Sequence, residues 1–214
     1  MGFIPDSATL LQYSIACLIL FATPGPDMSL FLSRTVTGGR SAGMASMIGA
    51  NTGCILHSVL AAAGLSAIIA ASPAAFNVMK VIGALYLVWL AVDAIRNGSA
   101  LSISGERKAA APFWKTLLVG ITVNLSNPKV VLFYITFLPL FVEANDPNAR
   151  GKLFFLGIYL VVVSVPLAAL MILGAERLIG VLKRKPLIMR GIDWLFASVF
   201  GFFAVSILLA EAKK

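Results

Sequence analysis

Two charged residues lie inside apolar stretches of this sequence, each directly after a proline. Asp27 follows Thr23-Pro24-Gly25-Pro26, and Lys129 follows Asn127-Pro128. A charge inside a membrane is costly, so it normally faces a protein interior or a wet cavity and marks a substrate or proton pathway. Asp27 suits a substrate ammonium or a proton, and Lys129 suits a carboxylate. Two structural alternatives remain: an Asp27–Lys129 ion pair, or an Asp27 that stabilises a helix N-terminus.

The prolines predict an interrupted helix at each of these places. Because proline lacks an N–H, the carbonyl four residues earlier loses its helical partner. Those carbonyls belong to Leu20, Ala22 and Asn124. Irregular backbone at membrane depth is tolerated only against protein or water.

A new half-helix is expected to begin after each break, capped by Thr23 or by Asn127. Its free N–H groups and dipole favour a bound carboxylate. We therefore predict one substrate site, built from Thr23, Pro24, Gly25, Pro26, Asp27, Asn124, Asn127, Pro128 and Lys129.

The one histidine of the chain lies on a helix face that is otherwise made of small residues. Ala45, Gly49, Gly53 and His57 recur every four residues, and such a stripe predicts a close-packed helix contact. A buried histidine is more often a packing group than a proton carrier. Its ordinary pKa nevertheless keeps His57 beside Asp27 as a candidate for proton coupling.

The composition requires a membrane around these residues. Of 214 residues, 59% are hydrophobic and only 12% are charged, with a mean hydropathy of +0.95. The net charge of +8 does not indicate nucleic-acid binding, because the basic residues lie between apolar runs. Cys17 and Cys54 stand alone in separate stretches, so we expect no disulfide, no metal site and no cofactor.

Uncharged runs of about 20 residues predict six membrane-spanning helices. They are 9–33, 42–71, 74–95, 113–141, 153–175 with a kink at Pro166, and 192–210. The whole chain, 1–214, is then a single all-α membrane domain. Its halves, 7–97 and 113–211, flank a polar linker at 98–112, and an odd number of spans per half places them as inverted repeats. The first helix of each half, helix 1 and helix 4 of the six, carries a break at mid-membrane.

The distribution of Lys and Arg predicts the orientation. One side of the six-span arrangement collects eleven basic residues. The other side holds five, namely Lys80, Arg150, Lys152, Lys213 and Lys214. Basic loops stay in the cytoplasm, so both termini are expected on the periplasmic side.

The motif Phe21-Ala22-Thr23-Pro24-Gly25-Pro26-Asp27-Met28 resembles the lysine exporter (LysE) superfamily, in particular its homoserine/threonine-resistance (RhtB) branch. Later motifs that share this resemblance are Gly38 to Gly43, Gly83 to Leu87, Asn127-Pro128-Lys129 and Phe137-Leu138-Pro139. The resemblance implies a bacterial inner-membrane exporter of amino acids or related metabolites, with six helices, proton antiport and alternating access. Two departures, Ala91 and Leu140, lie outside the predicted site.

The residues leave three alternatives open. A membrane thiol/disulfide electron carrier would need cysteines at the breaks, whereas Cys17 precedes the first break by seven residues. A metal-ion efflux protein would need more ligands than one histidine and one aspartate. A structural membrane subunit would leave Asp27 and Lys129 without a purpose. Faces of small residues permit a homodimer without requiring one.

Overall fold

The computed structural model describes residues 2–97, 111–143, 146–184 and 186–211, and every regular element in these ranges is helical. The helices are α1 Ser7–Ala22, α2 Pro26–Ala71, α3 Pro73–Asn97, α4 Phe113–Leu125, α5 Pro128–Leu132, α6 Ala149–Leu173, α7 Ala175–Arg184 and α8 Pro186–Glu211. α5 continues through a π turn, Phe133–Phe137, and a 3-10 turn, Leu138–Phe141. The expected all-helical class is therefore confirmed.

Local sequence signals place the helix starts. Asp6 caps α1, because its carboxylate accepts hydrogen bonds from the amides of Ala8 and Thr9, each 3.0 Å long. Proline occupies the first position of α2, α3, α5 and α8, where its missing N–H costs no helical hydrogen bond. Ser72 caps α3 through its hydroxyl, which accepts from the Ala75 amide.

α2 contains two helical segments, 26–38 and 40–71, which meet at Gly39. Gly39 has φ of 81° and ψ of 175°, a conformation that favours glycine because it has no side chain. In one straight helix, Thr35 and Gly43 would lie about 12 Å apart along the axis. Here a Cβ on Gly43 would overlap the Thr35 hydroxyl, so the chain reverses sharply between the segments.

Four helices within the described residues are long and apolar enough to span a membrane. They are Pro26–Ile68, counted here across the reversal at Gly39, Ala74–Arg96, Ala149–Leu173 and Leu187–Val205. The pair Phe113–Leu125 and Pro128–Phe141, bent by 51°, makes a fifth if it is one broken span. α1 is apolar but has only 16 residues, too few to cross alone. These helices confirm a multi-pass membrane protein, while their lengths do not establish the predicted six spans.

Several predicted boundaries were wrong. The span 153–175 begins earlier, at Ala149, and α6 runs through Pro166 as one helix to Leu173. The last helix begins at Pro186 instead of residue 192. Between these helices lies α7, an amphipathic helix that was not predicted because its charged residues excluded it from a search for apolar runs. Most of the predicted linker, 98–110, lies outside the described residues.

Two apolar clusters hold the helices together. The larger joins α1, α3, α6 and α8 around the π turn, and its largest buried side chains include Tyr13, Phe76, Phe133, Phe137, Leu153 and Phe200. The smaller cluster joins both segments of α2 to α6 and α7. We call it the methionine cluster, and its buried members are Phe31, Leu32, Met47, Ala50, Ala168, Met171, Ile172 and Ala175.

Candidate functional site

The first break separates α1 from α2 at residues 23–25. The Thr23 amide donates to the Ile19 carbonyl at 3.0 Å, and its hydroxyl donates to the same oxygen at 2.8 Å. Thr23 therefore terminates α1 and does not cap α2, contrary to prediction. A threonine hydroxyl commonly bonds the carbonyl four residues earlier, and that geometry is available at a helix end. Gly25, in extended conformation, precedes α2 without a side-chain cap.

The second break separates α4 from α5 at Ser126 and Asn127. Asn127 caps α5 as predicted, since its side-chain oxygen accepts from the Lys129 amide at 3.1 Å. The prediction of an unpaired Asn124 carbonyl was wrong. That oxygen accepts from the Asn127 amide at 3.0 Å. The hydrogen bond spans three residues instead of four, as is common in the last turn of a helix.

Side chains from each break contact the other break. Lys129 Nζ donates to the Thr23 carbonyl at 2.5 Å. In the reverse direction, Asn124 Nδ2 donates to Asp27 Oδ2 at 2.8 Å. Residues about 100 positions apart in the chain thus meet at one place through these two hydrogen bonds.

Asp27 and Lys129 do not form the structural ion pair that was one alternative: no contact within 4.0 Å joins their charged atoms. Instead, each charged group is bound by a neutral partner. Asp27 Oδ1 is buried and has no hydrogen-bond partner. A buried carboxylate oxygen without a protein partner is costly unless a ligand, a proton or water satisfies it.

The two breaks border a cavity with about 80 Å³ of space for the centres of water-sized molecules. One water needs about 10–15 Å³ by this measure, so the cavity holds several. Its polar wall consists of Thr23, Asp27, Asn51, Cys54, Asn124, Asn127, Lys129 and Ser164. Its apolar wall consists of Leu20, Phe21, Met28, Phe31, Ala50, Val130, Leu160 and Ala168.

Pro24, Pro26 and Pro128 shape the cavity without lining it. Gly25 does line it, and the position of a Cβ built on Gly25 is 3.6 Å from Lys129 Nζ. A Cβ at position 25 would therefore be in van der Waals contact with the lysine. The nine predicted site residues thus lie at two facing breaks, with six of them on the cavity wall.

Three polar cavity residues lie away from the breaks: Asn51 and Cys54 on the second segment of α2, and Ser164 on α6. Cys54 Sγ lies 3.5 Å from Asn124 Nδ2. Ser164 Oγ donates to Asn51 Oδ1 at 2.9 Å. The predicted site did not include Asn51, Cys54 or Ser164. The three-residue spacing of Asn51 and Cys54 on one helix face is the signal that was available.

The stripe of small residues packs the second segment of α2 against α4. A Cβ on Gly49 would overlap the Leu117 carbonyl, and a Cβ on Gly53 would lie 3.0 Å from Asn124 Cβ. Ala45 is fully buried. His57 continues the stripe: its ring stacks on Tyr134 at 5.3 Å, interacts with the Asn124 backbone and leaves a buried Nε2 without a partner. His57 does not line the cavity.

Within the described ranges, no three His, Cys, Asp or Glu side chains gather in a way that would hold a metal ion. Cys17 and Cys54 are both buried free thiols. Cys17 does not line the cavity.

Comparison with known proteins gives the chain its family. The family model described as LysE type translocator matches residues 18–211. The chain belongs to the LysE-type translocator family. This confirms the resemblance seen in the motifs around the two breaks.

Individual relatives agree with this assignment. An uncharacterized membrane protein of Vibrio cholerae is 32% identical over 97% of this chain and 99% of its own length. A leucine efflux protein of Klebsiella pneumoniae is 28% identical over 94% of this chain and 95% of its own. The uncharacterized membrane protein YrhP of Bacillus subtilis is 32% identical over 73% of this chain and 78% of its own. No solved structure matches.

Membership in the LysE-type translocators makes this chain a multi-pass membrane transporter that exports amino acids or other small molecules. It is therefore not an enzyme, and the electron-carrier alternative is wrong.

Proposed function

We propose that this LysE-type translocator exports amino acids across the bacterial inner membrane, by alternating access and in exchange for protons. The observation that carries the proposal is the pair of facing breaks, where Asp27 presents a buried, unpartnered oxygen to a cavity that also contains Lys129. An amino-acid zwitterion has an ammonium group and a carboxylate, whose charges complement those of Asp27 and Lys129.

In this proposal, the substrate ammonium binds Asp27 Oδ1 while Asn124 continues to hold Oδ2. The substrate carboxylate binds Lys129, which exchanges its bond to the Thr23 carbonyl for a bond to a negative charge. A carboxylate attracts the ammonium by its negative charge, which the neutral carbonyl lacks, and this favours the exchange. The remaining break residues, from Thr23 to Pro26 and from Asn124 to Pro128, hold the cavity open.

Proton coupling follows if Asp27 binds either a proton or the substrate ammonium. The two ligands then exclude each other at Oδ1, and each passage of the carrier takes one outward and the other inward. His57 is the second candidate for proton transfer, because its side chain interacts with the backbone of Asn124, whose side chain binds Asp27. Its charge changes at physiological pH when it is unperturbed.

Alternating access is supported by a second, wider cavity of about 690 Å³ at one end of the helices. We call it the vestibule, and its lining includes Thr35, Arg40 and Ile172. The cavity residues Phe31 and Ala168 lie one helical turn before Thr35 and Ile172, respectively. The methionine cluster lies between the cavities, so it would separate them in this state.

We further propose that the helices form two inverted halves, 7–97 and 113–211, with six spans in all. Counted in this way, α1 with the segment 26–38 is one broken span, and α4 with residues 128–141 is its counterpart. The facing breaks support this arrangement, because inverted repeats of carriers commonly meet at discontinuous helices. Both termini would lie in the periplasm, and a homodimer remains compatible with the exposed helix faces.

Substitution of Asp27 by asparagine tests the proposal. Purified protein in liposomes is loaded with unlabelled L-leucine, and exchange of external radiolabelled L-leucine is measured with and without a pH gradient. We expect Asp27→Asn to abolish exchange while the protein remains inserted and monodisperse.

Asp146→Asn is the matched control and should exchange normally, because Asp146 accepts hydrogen bonds from Lys152 and Asn148 at the start of α6, outside the cavity. Full exchange by Asp27→Asn would contradict the proposal.

A further inference from the structure

The geometry points to amino acids with a neutral, aliphatic side chain as the substrates of this cavity, with Ala50 and Ala168 setting the size of side chain admitted. This inference rests on the proposed function and deepens it. It follows from two features of the cavity wall: its charge count and the position of its apolar side.

Among the described residues that line the cavity, Asp27 and Lys129 are the charged ones. They provide one negative and one positive group, which match the two charges of a zwitterion. A lysine substrate would bring a second cation and a glutamate substrate a second anion, each without an opposite charge on the wall. An unpaired charge in such surroundings is strongly unfavourable. The wall therefore selects against charged side chains.

The apolar side lies one helical turn from the polar groups. Ala50 precedes Cys54 by four residues, and Cys54 contacts Asn124. Ala168 follows Ser164 by four residues on α6, and Ser164 contacts Asn51. Side chains four residues apart on a helix lie on the same face. Both alanines therefore lie on the cavity wall one helical turn from Cys54 and Ser164. Phe31 lies one turn after Asp27 on the facing segment.

A substrate whose charged groups occupy Asp27 and Lys129 would direct its side chain toward these alanines and Phe31. Burial of a leucine-sized side chain there removes apolar surface from water, which favours binding. The two alanines line the cavity and carry only a methyl group each. Larger residues at either position would project into the cavity.

Competition against radiolabelled L-leucine exchange in liposomes tests whether the cavity selects against charged side chains. Unlabelled L-valine and L-isoleucine should compete about as well as L-leucine. L-lysine and L-glutamate should compete at least about 100-fold more weakly, which corresponds to about 2.7 kcal/mol for the unpaired charge. Equal competition by lysine or glutamate would overturn this inference and leave the proposed function intact. Absence of exchange with every amino acid tested would overturn both.

Substitution of Ala168 tests whether this alanine limits the size of the substrate side chain. Ala168→Leu should weaken competition by L-leucine about 10- to 100-fold relative to L-alanine, as expected when one pocket loses the space of several methylenes. The control is Ala169→Leu, because Ala169 packs beside the methionine cluster without lining the cavity.

Ala50→Val provides an independent second variant, should Ala168→Leu fail to fold. The measured quantity is the ratio of leucine to alanine competition, which a general loss of stability does not change. An unchanged ratio in a folded variant would refute the role of these alanines.

Discussion

The ammonium group of Lys129 has three N–H donors. The structure assigns it one hydrogen bond, to the carbonyl of Thr23. Its role as the carboxylate ligand makes a prediction that separates the two ends of the substrate. Lys129→Ala should weaken inhibition by L-leucine roughly 10- to 100-fold, since a hydrogen bond to a charged group contributes about 1.5–3 kcal/mol. Inhibition by isoamylamine, which has no carboxylate, should change little.

The readout is inhibition of labelled leucine exchange, and Lys152→Ala is the control because Lys152 pairs with Asp146 away from the cavity. If Lys129→Ala weakens isoamylamine and leucine equally, Lys129 shapes the cavity without binding the carboxylate.

Helix packing at the site depends on a single close approach between the second segment of α2 and α4. A Cβ on Gly49 would overlap the Leu117 carbonyl, and a Cβ on Gly120 would overlap the Ser46 carbonyl. Gly49→Ala should therefore destabilise the protein by about 1–3 kcal/mol, the usual cost of overpacking. It should also disturb the cavity, because Asn124 lies on the same contact. The measurement is thermal unfolding in detergent together with leucine exchange.

Gly64→Ala is the matched control on the same helix, since a Cβ on Gly64 meets no atom within 4 Å. Alanine is the better helix former by up to about 1 kcal/mol, so this variant should unfold at the same or a slightly higher temperature. Equal losses in both variants would show that glycine at position 49 is not required for packing.

The helix breaks were predictable from sequence because they depend on local chemistry. Proline removes a hydrogen bond wherever it occurs, so Pro24 and Pro128 located both interruptions. The contacts across the breaks were not predictable, since the bond from Lys129 to the Thr23 carbonyl joins residues 106 positions apart. Ser164 was missed for the same reason: serine in an apolar helix normally bonds its own backbone, and only the position of α6 gives it Asn51 as a partner.

The whole molecule presents a central cavity, a methionine cluster and a vestibule in sequence along α6 and the segment 26–38. Flexible methionines such as Met47 and Met171 suit a contact that must open and close. If this cluster is the barrier on the cytoplasmic side, the native Cys54 in the cavity becomes a reporter of opening. Labelling of Cys54 by a membrane-impermeant methanethiosulfonate, in a Cys17→Ser background, should proceed from the cytoplasmic face in inside-out vesicles.

Phe31→Ala should accelerate this labelling several-fold, because it removes a ring that both lines the cavity and belongs to the barrier. Phe196→Ala is the matched control: Phe196 is 3% exposed and Phe31 4%, yet Phe196 belongs to the larger core. Acceleration by Phe31→Ala alone, and only in inside-out vesicles, would establish both the barrier and the predicted orientation. Equal acceleration by both variants would mean that any loosened core admits the reagent, and faster labelling from the periplasmic face would reverse the orientation.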